Sequence, residues 1–241
     1  MRIYAQFING ELVSRPGTGM IDVENPSSGE IMAQVPDGGA EDARTALEAA
    51  RAAQDGWAAL PAPTRATALK KLAGGIRERR TELAAILAAE QAKTLPLAQV
   101  EVDFTAEYFD YYAGWARIYE GEIIQSDRPR ENILLYRQPI GVVAGICPWN
   151  FPLFVTARKV APALLAGCAV VVKPSSVAPA TVMEFAKIAA GLDLPRGVLN
   201  VVTGGGARLG EALAKSPLTD MVCLTRRGGG GGGRRGGGAP R

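Results

Sequence analysis

Histidine is missing from all 241 residues. That absence removes serine–histidine triads, histidine-activated thiols and histidine-ligated zinc sites. Cysteine is sparse. Cys147, Cys168 and Cys223 stand far apart, without the C-x-x-C spacing of a zinc or dithiol site. An odd count with no framework fits a reducing cytoplasm. No apolar run reaches the ~18–20 residues that cross a bilayer. The opening MRIYAQFING lacks the apolar core of a signal peptide. Concentrated positive charge is also missing from most of the chain. The net charge is +3, but residues 226–241 hold five arginines and no acid. The remainder sets 22 Lys and Arg against 24 Asp and Glu, so it carries no basic footprint for nucleic acid.

What is present suits a globular chain with a real core: 241 residues, 47% of them hydrophobic. YAQFINGELVS reads as a hairpin around Asn9-Gly10, a strong type I′ turn signal. IDVENPSSGEIMAQVP gives short strands broken by Asn25-Pro26. From Gly39 the period becomes helical, with Ala43, Ala46, Leu47 and Ala50 on one face. A second helix is expected from a Thr64 cap, with Leu69, Leu72 and Ile76 inward. A third covers RTELAAILAAEQAK, and a fourth runs from about Leu97 to Tyr119. The fourth carries Phe104, Tyr108, Phe109, Tyr111, Tyr112, Trp115 and Tyr119, which suit helix packing or, less commonly, a ligand cage. Residues 120–139 read as a loop and then a strand over about Asn132 to Arg137.

After Gly141 the order becomes strand, helix, strand, helix. GVVAGI, CAVVVKP, GVLNVVTG and DMVCLT are apolar strands, and helices separate them. This pattern predicts an α/β fold with a doubly wound parallel sheet, Rossmann-like, whose strand-end loops share one edge. Three loops then fall together: ICPWNFP, VKPSSVAP and VTGGGARLG. Singly each is a weak signal. PWN suits a packing turn, KPSS a helix cap, and GGGARLG departs from G-x-G-x-x-G. As an ordered set at successive strand ends they are far more specific.

PWNFP at 148–152, ARKVAPALLAG at 157–167, VVVKPSS at 170–176 and LPRGVLNVVTG at 194–204 resemble the NAD(P)-dependent aldehyde dehydrogenases. The resemblance runs from about Tyr4 to Thr225. Upstream, AQVEVDFTAEYFDYYAGWARIYEGEIIQSDRP and ENILLYRQPIGV look most like the lactaldehyde and glycolaldehyde dehydrogenase branch. It implies oxidation of an aldehyde, such as a small hydroxyaldehyde, to the acid with NAD or NADP. In that chemistry a cysteine thiolate attacks the aldehyde, hydride leaves for the nicotinamide, and a carboxylate activates water. Asn150 matches the family's oxyanion-hole asparagine, a neutral donor that tolerates a nearby thiolate. Pro148 and Trp149 match the wall beside the nicotinamide half. Lys173 matches the lysine that binds the adenosine ribose, and Pro174, Ser175 and Ser176 continue that loop. Where the family often has glutamate, this chain has Ser176, which does not repel a 2′-phosphate, so NADP is expected to be tolerated as well as NAD. Gly206 and Gly210 match glycines beside the adenine and pyrophosphate, where the helix start favours phosphate. Glu211 reads equally as an adenosine contact or a solvated surface residue. Arg158 reads as a lining of the aldehyde entrance or as part of a surface ion pair. The three cysteines read as small buried hydrophobes, and none matches the nucleophile. Family membership also implies a homodimer or homotetramer.

The resemblance divides the chain into an N-terminal region, 1–140, a partial NAD(P)-binding domain, 141–225, and a tail, 226–241. The tail RRGGGGGGRRGGGAPR interrupts a motif in which Gly-Ser would follow Thr225. Runs of Gly, Arg, Ala and Pro arise when GC-rich codons are read out of frame. The expectation is therefore a disordered, out-of-frame tail on a chain inactive for want of the catalytic cysteine and glutamate. The rival readings are a half-protein that binds cofactor or a partner without turnover, and an RNA-binding Arg/Gly tract.

Overall fold

The structure is a computed structural model that describes residues 1–15, 17–119 and 121–225. The tail, 226–241, with its expected disorder, lies outside the described residues. Among the described residues the centre of the fold is a six-stranded sheet. Four strands run parallel: β8 (Val142–Ile146), β9 (Ala169–Lys173), β10 (Leu199–Val201) and β11 (Met221–Leu224). The N-terminal hairpin, β2 (Gln6–Ile8) and β3 (Glu11–Val13), adds two antiparallel strands beyond β10. The hairpin turns where its sequence demands, with Asn9 and Gly10 both at positive φ, 54° and 80°. Its position on the sheet edge is a long-range outcome, because residues 6–13 are assigned by sequence to the N-terminal region.

The continuous apolar run of β9 follows from cover on both faces. Val170 and Val172 face one core with α2 (Ala62–Glu78), α3 (Arg80–Gln91), α4 (Leu95–Gly114), α5 (Pro152–Ala166) and α6 (Ala180–Ala190). Ala169 and Val171 face a smaller core with Ala43, Ala46, Leu47 and Ala50 of α1 (Ala40–Ala58) and Leu213 of α7 (Glu211–Lys215). The inward face expected for α1 is therefore observed, as are Leu69, Leu72 and Ile76 of α2.

Helix limits differ from expectation in α2, α3 and α4; α3 stops at Gln91, short of the expected Lys93, and α4 starts at Leu95. α2 begins at Ala62 rather than at a Thr64 cap, because Pro63 sits in its first turn, where a missing N–H costs nothing. α4 ends at Gly114, and one 3-10 turn, Trp115–Arg117, follows it. The strand expected over 132–137 is β7 (Asn132–Leu135), and it pairs antiparallel with β6 (Glu122–Gln125), a strand where the sequence predicts a loop. β1 (Arg2–Ile3), β5 (Ile31–Pro36) and β4 (Met20–Glu24) form a separate three-stranded sheet.

Candidate functional site

Strand order places the candidate loops. From β8 the sheet grows through β9 to β10, whereas β11 returns to the opposite side of β8. The connection leaving β8 runs to β9, whereas the one leaving β10 crosses back to β11 on the far side of β8, and the crevice at such a reversal is where open α/β sheets take ligands. Pro148, Trp149 and Asn150 follow β8. Pro174, Ser175 and Ser176 follow β9. Gly206 and Gly210 lie in a π-helical turn, 206–210, after β10. All three loops leave carboxyl ends of parallel strands.

Asn150 and Trp149 are exposed, and Pro148 is half-buried. Among the described residues the Asn150 side-chain amide has no hydrogen-bond partner, while its backbone carbonyl faces Lys93 Nζ at 3.5 Å. Lys173 is buried at the end of β9, and its Nζ donates to the Pro174 carbonyl at 3.0 Å. Desolvation lowers the Lys173 ammonium pKa. Gly210 packs on this lysine: a Cβ at Gly210 would stand 3.6 Å from Lys173 Cδ. Gly206, by contrast, faces open space. Ser175 and Ser176 are half-buried, and Ser175 Oγ accepts from Val177 N at 3.2 Å. Glu211 is ion-paired with Lys215 one turn along α7, and that partner lowers its pKa.

Arg158 is exposed on α5, beside an aromatic face. Phe109 alone of the α4 rings lies in the main core, stacked on Phe185 at 5.7 Å. Tyr108 meets Phe154 of α5 edge-on at 5.4 Å and Tyr112 at 5.1 Å, and Phe104 lies 6.4 Å from Phe154. Burial first, then the Tyr108 hydroxyl, push the Tyr112 hydroxyl up to about 12, and the nearby Arg158 charge opposes that rise. Tyr108 and Tyr112 are partly buried against the main core, and with Phe104 they carry the ring cluster onto Phe154 in the first turn of α5.

The cysteines differ among themselves. Cys147 and Cys168 are buried, and desolvation pushes the Cys147 thiol up to about 11. Cys223 is only half-buried, with its Sγ 3.5 Å from Lys159 Nζ.

Lys159 and Glu90 are contributors that sequence reasoning missed. Lys159 is buried and donates to Thr225 Oγ1 at 2.7 Å, reaching the end of β11 across Gly145. Glu90, at the end of α3, caps α6. Its carboxylate accepts from Ala180 N at 2.7 Å, Thr181 N at 3.1 Å and the Thr181 hydroxyl. The signal was the same in both cases: a charge in register with an apolar helix face, as Glu90 is with Leu83 and Leu87.

Burial pushes the Glu90 carboxyl up to about 7, against those three hydrogen bonds, which lower it. The folded state therefore holds a proton that the unfolded chain releases near its ordinary carboxyl pKa of 4.5. The contribution is fully present below that value and is lost as pH rises through about 7. Thermal melting of the chain is expected to fall between pH 5 and 8, and Glu90→Gln to flatten that fall. Parallel pH profiles for the two proteins would refute the assignment.

The comparisons with known proteins agree on one lineage. The aldehyde dehydrogenase family model matches residues 13–230. A lactaldehyde dehydrogenase of Escherichia coli K12 is 52% identical over 222 residues, which are 92% of this chain and 46% of that protein. An NADP(+) succinate-semialdehyde dehydrogenase of the same strain is 37% identical over 218 residues, 90% of this chain and 45% of that protein. The crystal structure of lactaldehyde dehydrogenase from Escherichia coli superposes with a TM-score of 0.89, 52% identity, and coverage of 92% of this chain and 46% of that chain. The chain thus spans about half the length of the relatives it matches. With its parallel sheet, its strand-end loops and a family match over most of its length, the chain belongs to the aldehyde dehydrogenase family.

Proposed function

We propose that this chain supplies the cofactor-binding half, and the oxyanion donor, of an NAD(P)-dependent oxidation of an aldehyde to its acid. The observation that carries this reading is the placement of the Asn150, Lys173–Ser176 and Gly206–Gly210 loops at one sheet edge, around the strand-order reversal. When bound, NAD(P) supplies the hydride acceptor. Lys173, buried at the end of β9 beside the Gly206–Gly210 turn, offers its amine to ribose hydroxyls. Pro148 and Trp149 wall the nicotinamide side. Asn150, with its amide free, donates to the oxygen that gains charge as the aldehyde is attacked, an interaction worth about 3 kcal/mol of barrier. Arg158 and the tyrosines beside it face the incoming aldehyde, and a small polar hydroxyaldehyde suits them.

Ser176 carries no charge to oppose a 2′-phosphate, so both NAD+ and NADP+ are accepted. One relative's name specifies NADP(+), which supports the same reading. The exposed apolar ribbon of Ile123, Leu134 and Tyr136 supports burial against a second subunit. Its free cysteines suit the cytoplasm. By itself the chain is expected not to turn over, because two of its cysteines are buried and the third faces Lys159 within the sheet.

Calorimetric titration of the chain with NAD+ and NADP+ tests this. Binding of both is expected, and Ser176→Glu should weaken NADP+ roughly tenfold or more while sparing NAD+. Failure to bind either nucleotide, or equal weakening of both by Ser176→Glu, would sink the reading. Sustained NADH formation from lactaldehyde would overturn the expected lack of turnover.

A further inference from the structure

The Asn150 loop is held from behind by the connection between α3 and α4. Glu101, on α4, is fully buried. Its Oε1 accepts from Leu153 N at 3.1 Å and Phe154 N at 3.2 Å, the first-turn amides of α5. A helix start with no side-chain cap of its own is thus capped by a carboxylate from 52 residues upstream. Glu101 Oε2 accepts from Lys93 Nζ at 2.6 Å. The same ammonium stands 3.5 Å from the Asn150 carbonyl and 4.4 Å from the Phe151 ring centre. Two residues earlier, Gln91 donates to the Trp149 carbonyl. One short stretch therefore holds Trp149, Asn150 and Phe151 in succession, together with the helix that follows them.

We propose that Lys93 and Glu101 are positioning residues for Asn150: the ion pair fixes the loop backbone so that the Asn150 amide points free of the protein. The inference rests on the aldehyde dehydrogenase reading for its use, but its geometry stands apart from it. The chemistry explains why charge is used. A charged cap holds amides about twice as strongly as a neutral one. A loop tied only by apolar contacts would not keep a donor to the half-ångström tolerance that oriented catalysis needs. Glu101 is buried with its compensating cation, so the pair persists without solvent competition.

Removing Lys93 alone would strand a buried charge and risk unfolding. The test therefore uses the double variant Lys93→Met/Glu101→Gln, which removes both charges together, and the conservative Lys93→Arg. Amide hydrogen exchange of the 241-residue chain is read at Leu153 and Phe154, with residues 157–166 of α5 as internal control. NAD+ affinity is measured in parallel. In the double variant, exchange at Leu153 and Phe154 should rise roughly tenfold while the control segment stays put. NAD+ affinity of the double variant should fall severalfold, and Lys93→Arg, which keeps the ion pair, should leave both readouts near those of the unaltered chain. Unchanged exchange at Leu153 and Phe154, or an equal rise throughout α5, would overturn the positioning role. Absence of NAD+ binding by the unaltered chain would count against the proposed function, and the exchange result would still decide the bracket.

Discussion

Glu184→Ala is expected to destabilise the chain by about 3–5 kcal/mol, the usual cost of breaking a buried charged cluster by removing one partner. Glu184 lies within α6 with its side chain almost wholly enclosed. It accepts from Arg79 at 2.5 Å, Arg2 at 2.8 Å, the Tyr4 hydroxyl at 2.8 Å and Lys187 at 3.1 Å. Arg2 and Arg79 also share Glu82. The cluster joins the N-terminal strand, the α2–α3 junction and α6. Desolvation alone would raise the Glu184 pKa, but hydrogen bonds from Arg79, Tyr4 and Lys187 outweigh it and hold the carboxyl at about 2. A folded pKa below the ordinary value means stability that is present above pH 4.5 and lost as pH falls through about 2. The difference amounts to about 3 kcal/mol. Urea unfolding at pH 7 should show the loss for Glu184→Ala, and the variant should lack the acid-dependent part of the native profile. A variant within about 1 kcal/mol of the native chain would show that the cluster is not a fastening of the N-terminus.

Gly197→Ala is the second large effect, expected at about 3 kcal/mol from left-handed strain plus overpacking. Gly197 has φ +84°, and a Cβ there would stand 2.3 Å from the Ala49 carbonyl oxygen and 3.1 Å from Ala53 Cβ, both on α1. Backbone meets backbone, so no side chain can swing aside. The contact is also a junction. Asn200 Nδ2 donates to the Gly197 carbonyl at 2.7 Å, and Asn200 Oδ1 accepts from Asn9 N in the hairpin turn at 2.9 Å. Pushing the loop from α1 therefore loosens the hairpin as well. Gly206→Ala is the control: nothing lies within 4 Å of its Cβ position, and its stability should stay within about 0.5 kcal/mol. Equal melting temperatures for Gly197→Ala and Gly206→Ala would show that the α1 contact relaxes freely.

Much of the sheet and the helices was legible from sequence because local chemistry specifies them. Asn9-Gly10 requires a tight hairpin turn, the valines of β9 require two covered faces, and the Ala43 to Ala50 face requires a partner layer. The misreadings were also local in origin. Thr64 reads as a cap, but a helix's first turn accepts proline, so α2 starts ahead of Pro63. β6 carries no turn signal strong enough to separate it from the loop before β7. The matching residues of the site were legible as a resemblance, from Asn150 to Gly210, together with the family.

Sequence by itself thus determined the alternating architecture, because periodicity and turn preference act over a few residues, while its motifs carried the resemblance to the family. Only the tertiary structure decided that the N-terminal hairpin closes the sheet edge, that Glu184 fastens Arg2 and Arg79, and that Glu90 and Glu101 cap helices from another layer. A buried carboxylate satisfies its hydrogen bonds with whatever donors packing brings to it. For Glu90 and Glu101 those donors lie 90 and 52 residues away, where no local pattern reaches.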